Sequence, residues 1–233
     1  MSAEISKNHA SGNAGTHHPA LKHHFADFEQ QREAGTLGMW VFLVTEIMFF
    51  GGLFMTYIVY RTWHPAAFAA ASHELDVPLG SVNTIVLIAS SLTMALAVYS
   101  AQTGGRKATV AFLALTLALG LVFLGIKFVE YHHKFVEGHV PGANFNFAEP
   151  YRRDAQMFFS LYFAMTGVHA LHMVVGVGIL AVLIVMAWRG RFSPEYHTPV
   201  ELSGLYWHFV DIIWIFLFPL LYLIGRHLHQ GGL

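Results

Sequence analysis

The sequence contains no cysteine. Disulfide staples, thiolate nucleophiles, iron–sulfur clusters and cysteine-ligated copper are therefore excluded within this chain, and its redox compartment is not indicated. Charge is also scarce: Asp, Glu, Lys and Arg make up 12% of the 233 residues, against roughly 25% in an ordinary soluble domain. The formal net charge is -1 and the basic residues are scattered, so no charge run marks a nucleic-acid partner. No internal repeat is visible, and the first 35 residues lack the apolar core of a signal peptide.

What the chain has in abundance is apolar side chain, 55% of its residues, laid down in long blocks. A bilayer core about 30 Å thick is crossed by about 20 apolar helical residues. Five blocks reach that length, which predicts an all-α polytopic membrane protein with one bundle of five transmembrane helices. The helices are expected over about 36–61, 82–101, 108–134, 155–188 and 201–227, after a polar, His-rich tail over 1–35. Its histidines (His9, His17, His18, His23 and His24) read as a solvated low-complexity stretch rather than a metal site. The segment QTGGRKA, residues 102–108, is a tight basic turn that makes the second and third spans antiparallel neighbours. The stretches 63–80 and 134–154 hold the Pro, Gly and polar residues of extramembrane loops. Seven Lys and Arg fall on the tail side against five on the other, which favours a cytoplasmic N-terminus and an external C-terminus. Ala89, Thr93, Ala97 and Ala101 form a ridge of small residues for close helix packing. Pro219 should kink the last span, freeing a carbonyl one turn earlier.

Ionisable residues inside a span are costly, so each calls for a partner or a role. Glu46 lies midway along the first span, as a proton-linked carboxylate, a polar contact to lipid or partner, or a hydrogen-bonded structural group. His169 and His172 stand one turn apart on the fourth span, continuing a face with Tyr162, Met165 and Gly176. Neutral histidines hydrogen-bonded to other helices are preferred there to a metal or haem pair. Glu130 and His133 form one Glu-x-x-His unit, of which a di-iron bundle needs two, so interfacial packing is expected. Lys127 is the natural ion-pair partner of Glu130, with the lysine able to snorkel toward the surface. In the last span Glu201, His208 and Asp211 share a face, and Trp207, Asp211 and Trp214 an overlapping stripe.

These motifs resemble subunit III of haem–copper terminal oxidases. YWHFVDIIWIFLFPLLYLIG looks like the last helix of that family. Trp40 through Thr45, Glu46 and Met48-Phe49-Phe50, the segment SVNTIVLIASSLTMALA, and YFAMTGVHALHMVVG are similar to three further helices in the same order. The resemblance covers about 40–225. Two departures stand out: the family is best known in a seven-helix form, so this chain resembles the five-helix bacterial variants, and Lys127 occupies a position usually held by glutamine.

The resemblance implies an accessory, non-catalytic subunit in a bacterial inner membrane. Its partners would be subunits I and II, which hold the haems and copper and reduce dioxygen while pumping protons, with a larger respiratory supercomplex as a further candidate. It implies no cofactor on this chain except structural phospholipid in a cleft, and support of proton uptake and durability in the neighbour. Glu46 and His208 are then the foremost lipid-binding or proton-linked candidates, followed by Glu201, Asp211, His169, His172, Glu130 and Trp40; none is catalytic and none binds metal. Two other readings stand beside it: an accessory subunit of a nitric-oxide reductase, and a self-contained membrane metalloenzyme using His169, His172, Glu130 and Glu46. The electron donor, cytochrome c or quinol, acts on another chain.

Overall fold

The computed structural model describes residues 28–142 and 145–223. The five tail histidines, and the expected last turn of the final span beyond Leu223, lie outside the described residues. The chain is helical between short connections: α1 (Phe28–Trp63), α2 (Pro65–His73), α3 (Val77–Gln102), α4 (Arg106–Val136), α5 (Arg152–Trp188), α6 (Thr198–Phe218) and a π-helical turn at Pro219–Leu223. Of these, α1, α3, α4, α5 and α6 with its π turn are long and apolar enough to cross a membrane. Among the described residues the all-α bundle with five membrane-crossing helices read from the sequence is the observed fold.

The helix ends depart from the expected boundaries for local reasons. α1 begins at Phe28, inside the segment read as tail, because FEQQREAG is rich in good helix formers and sets Glu29 in the first turn against the helix dipole. The stretch 63–80, read as a loop, contains α2. Its proline stands in the first turn, where a missing N–H costs nothing, and five alanines carry the helix on. Ala67, Phe68, Ala69, Ala71 and Ser72 are buried there, with Phe68 edge-on to Tyr57 and Phe158. α3 starts at Val77 because Asp76 caps it, its carboxylate accepting from Leu79 N at 3.1 Å. α5 is 37 residues long, a rise of about 55 Å, so its ends stand clear of the hydrocarbon. At Pro219 the missing N–H interrupts the α-helical ladder and the chain widens into the π turn. The Tyr57 hydroxyl donates to Leu220 O at 3.0 Å there, fastening α1 to that turn.

α3 and α4 form the expected antiparallel hairpin. Gly104 takes φ 76°, Gly105 N bonds Ser100 O at 2.8 Å, and the Arg106 guanidinium donates to Trp188 O, tying the turn to the end of α5. Thr93 on the small-residue ridge meets Thr116 of α4 at 2.8 Å. α6 is the hub, with 56% of its span buried inside the chain against 11% for α1. Its Trp207 is driven between α4 and α5: a Cβ on Gly120 would lie 2.7 Å from the indole and one on Gly176 2.9 Å. The indole N–H donates to Ser90 Oγ at 3.1 Å. The two glycines exist because an aromatic ring occupies the space of their side chains. Gly120→Ala is expected to destabilise the purified protein by about 1–3 kcal/mol through overpacking, read as a lowered thermal midpoint. An unchanged midpoint would show that the Trp207 wedge does not bear on stability.

Candidate functional site

Three polar clusters lie within the spans, and they distribute the sequence candidates differently from a common site. The first joins α1 to α5. Glu46 Oε2 stands 3.2 Å from His172 Nε2, with the side chains only 19% and 17% exposed. The other ring nitrogen, Nδ1, lies 2.9 Å from Val168 O, and a carbonyl can only accept. Nδ1 therefore carries hydrogen, and a single proton is left to bridge Nε2 and the Glu46 carboxylate. Phe50 packs edge-on to the imidazole and Tyr206 stacks on it, while the Tyr206 hydroxyl donates to His172 O at 2.9 Å. Beside this pair an apolar groove of about 420 Å³ opens between α1, α5 and α6, walled by Met39, Phe42, Leu171, Val175, Ile179 and Tyr206.

His169 does not share this site, although it stands one turn from His172. It turns inward, 1% exposed, with Nε2 3.1 Å from Val210 O, between Phe123 and Trp214. Three residues rotate a helix by about 300°, so the two rings diverge, one toward α1 and the other toward α6.

The second cluster holds the expected Lys127–Glu130 pair and corrects where it was expected to lie. Neither is interfacial: they are 3% and 1% exposed, and Lys127 does not snorkel. Lys127 Nζ donates to Glu130 Oε2 at 3.0 Å, to Tyr222 at 3.0 Å and to Tyr162 at 3.2 Å. Tyr162 donates to Glu130 Oε1 at 2.7 Å, and Tyr222 to the same oxygen. The ammonium also lies 5.0 Å from the Trp214 ring centroid and 5.4 Å from that of Tyr131. Near the end of α4 the lysine would reach water were the site not roofed by α5 and the π turn; enclosed, its Nζ is satisfied by this shell alone. His133 is exposed and takes no part, so the Glu-x-x-His unit is not assembled.

The third cluster lies between α3 and α6. Glu201, His208 and Asp211 do face one neighbour, α3. Glu201 Oε1 accepts from Gln102 Nε2 at 2.6 Å and meets His197 Nε2 at 3.1 Å. His208 Nδ1 pairs with Ser91 Oγ at 2.7 Å. Trp214 donates to Thr84 at 3.1 Å. Asp211 is 3% exposed and neither carboxyl oxygen has a hydrogen-bond partner among the described residues. The partners Gln102, Ser91, Ser90 and Thr84 were not singled out individually from the sequence; the hydroxyl pattern of that helix was the available signal. Trp40 is 56% exposed on the outer side of α1 and belongs to none of the clusters.

The four residues of the metalloenzyme reading are thus dispersed: Glu46 and His172 together, His169 in the core, Glu130 in the lysine cage. Among the described residues no group of three or more His, Asp or Glu is placed to hold a metal ion. Such an assembly of long apolar helices, with polar groups paired mostly to one another, is that of an integral membrane bundle protein. Residues 22–226 match the family described as Cytochrome c oxidase subunit III. The chain is 31% identical over 202 residues to Cytochrome bo(3) ubiquinol oxidase subunit 3 of Pseudomonas aeruginosa, covering 85% of this chain and 90% of that one. It is 34% identical over 212 residues to Quinol oxidase subunit 3 of Bacillus spizizenii (89% and 95%) and 33% identical over 230 residues to Cytochrome c oxidase subunit 3 of Synechocystis (96% and 85%). The chain belongs to the cytochrome c oxidase subunit III family, the third subunit of haem–copper oxidases.

Two predictions come from the charged clusters. Lys127→Ala leaves a buried carboxylate without its cation and is expected to cost about 3–5 kcal/mol, whereas Lys127→Met with Glu130→Gln together should cost much less. Thermal unfolding of the two variants checks this, and equal losses would refute the charge argument. Outside the spans, partial burial would raise the Glu137 carboxyl. The hydrogen bond and charge of Lys134, 2.5 Å away, together with His139 at 3.2 Å, outweigh that and hold it below its ordinary 4.5. Its contribution is therefore complete above that value and lost as pH falls through the lowered one. The protection of the His139 amide, whose N–H bonds Lys134 O, taken against its intrinsic exchange rate at each pH, should fall below pH 4.5, and Glu137→Gln should show the lower protection already at neutral pH.

Proposed function

We propose that the chain is the non-catalytic subunit III of a proton-pumping haem–copper oxygen reductase of aerobic respiration. It lies in a bacterial inner membrane with its N-terminus cytoplasmic, against subunits I and II, which hold the haems and copper. It binds phospholipid in the groove between α1, α5 and α6, supports proton uptake by the catalytic subunit and prolongs its working life. The electron donor is set by the partner subunits, and the proposal is the same for cytochrome c and quinol.

The observation that carries this reading is the Glu46–His172 pair at the wall of the apolar groove. An acyl chain fits such walls by size and polarity, and the pair holds one proton that either partner can carry. Moving between the two partners, the proton leaves the net charge of the pair unchanged in the hydrocarbon, where an isolated ion is costly. Glu46→Gln removes the exchangeable site while keeping the side chain's shape. The complex is expected to assemble, with its haem absorption intact, but to take up protons more slowly and to inactivate sooner during turnover. Stopped-flow proton uptake and the activity lifetime measure both; wild-type values for each would leave Glu46 a structural residue. Mass spectrometry of lipid retained by the complex tests the groove.

A further inference from the structure

Among the described residues four side chains leave buried polar atoms unpaired, Asn83, His169, His197 and Asp211, and Asp211 is the carboxyl among them. It stands near the middle of the last span, Thr198–Leu223, with about 20 Å of helix to either end. In a hydrocarbon core about 30 Å thick it is within a few ångströms of the midplane. The residues around it are satisfied by α3: Trp207 by Ser90, His208 by Ser91 and Trp214 by Thr84. Ser91 stands beside Asp211 as well, with its hydroxyl 2.7 Å from His208 Nδ1, and neither carboxyl oxygen has a hydrogen-bond partner within bonding geometry among the described residues. A cleft of about 400 Å³ opens here between α3 and α6. Its lips are Ile88, Leu92, Ile212 and Ile215, exposed by 54%, 62%, 50% and 46%. α6 thus turns Tyr206 toward the α1 groove and Asp211 toward a second, separate cleft.

What fills that cleft must bring a hydrogen-bond donor to the bilayer centre. Acyl chains carry none, and phospholipid headgroups remain at the interface. A transmembrane helix carries donors to any depth. A second copy is a poor match: about a two-fold axis it would set Asp211 against Asp211. On α1 the exposed hydroxyls of Thr45 and Thr56 are already given to Phe42 O and Gly52 O. We infer that the α3–α6 cleft is the seat of a transmembrane helix of a partner subunit, whose donor side chain hydrogen-bonds the Asp211 carboxyl. This rests on the reading of the chain as an accessory subunit, and it assigns that subunit its docking face.

The test uses the native complex. A photoreactive amino acid is placed singly at Leu92, at Ile215 and, on the outer face of α5, at Val182. Membranes are irradiated, and the products are purified by a tag on this chain. Leu92 and Ile215 are expected to crosslink to another oxidase subunit and Val182 to lipid. Crosslinks from Leu92 and Ile215 to lipid alone or to a second copy, or partner crosslinks from Val182 only, overturn the docking face while oxidase subunits still co-purify. If no oxidase subunit co-purifies with the unmodified chain, the accessory-subunit reading falls and this inference with it. Asp211→Leu should weaken retention of the subunit through detergent washing by roughly threefold to twentyfold, the range of membrane hydrogen bonds. Asp211→Asn, which keeps an acceptor oxygen, should lie between. Wild-type retention of Asp211→Leu overturns the inference; if that variant fails to fold, the crosslinks, made with Asp211 in place, decide alone.

Discussion

Hydrocarbon has no hydrogen bond to give, and the architecture of this chain follows from that shortage. A polar side chain on a span must be answered by another side chain or a backbone carbonyl at the same depth. α6 carries much of this load. Glu201, Trp207, His208 and Trp214 are answered by Gln102, Ser90, Ser91 and Thr84 of α3, while Tyr206 answers the carbonyl of His172 on α5. Each pair fixes the register of two helices, because a slip of one residue would strand both members. The apolar contacts then fill in around a geometry already set, with Trp207 seated where Gly120 and Gly176 leave room.

The same rule explains how one lysine and one glutamate are kept buried inside the bundle. Lys127 and Glu130 are answered by two further helical elements at once, since Tyr162 comes from α5 and Tyr222 from the π turn. The π turn matters because Pro219 cannot continue the α-helical ladder, and the wider winding carries Tyr222 to the glutamate. What began as a local break in α6 becomes the lid of a buried ion pair.

The sequence disclosed length and polarity well and partnership poorly. Five spans and the α3–α4 turn were legible because apolar length and a Gly-Gly turn are local properties. α2 was missed because nine residues beginning with proline carry too little periodic signal. The depth of Lys127 was not legible, since an ammonium near a helix end is roofed or not according to segments far away; Tyr222 lies 95 residues on. Glu46 was singled out by its position, but its partner could have been His169 or His172. Only the rotation of about 60° between their faces, set by how α5 packs on α1 and α6, decides for His172.

α1 is held differently from the rest. Only 11% of its span is buried, and its polar ties include Glu46 to His172 near its middle and Tyr57 to the π turn further along. Much of its remaining contact is apolar, across a groove that the chain itself leaves partly unfilled. A helix fastened at few points beside an open groove gains stability from whatever fills the groove, because the filler replaces packing the chain lacks. The proposed lipid and the Glu46–His172 pair would then act on one object, the position of α1. The state of the pair would be felt by the lipid, and the lipid by the pair, both through α1 and at His172, which lines the groove. That coupling is the physical route by which the proposed accessory subunit would bear on proton traffic in its neighbour.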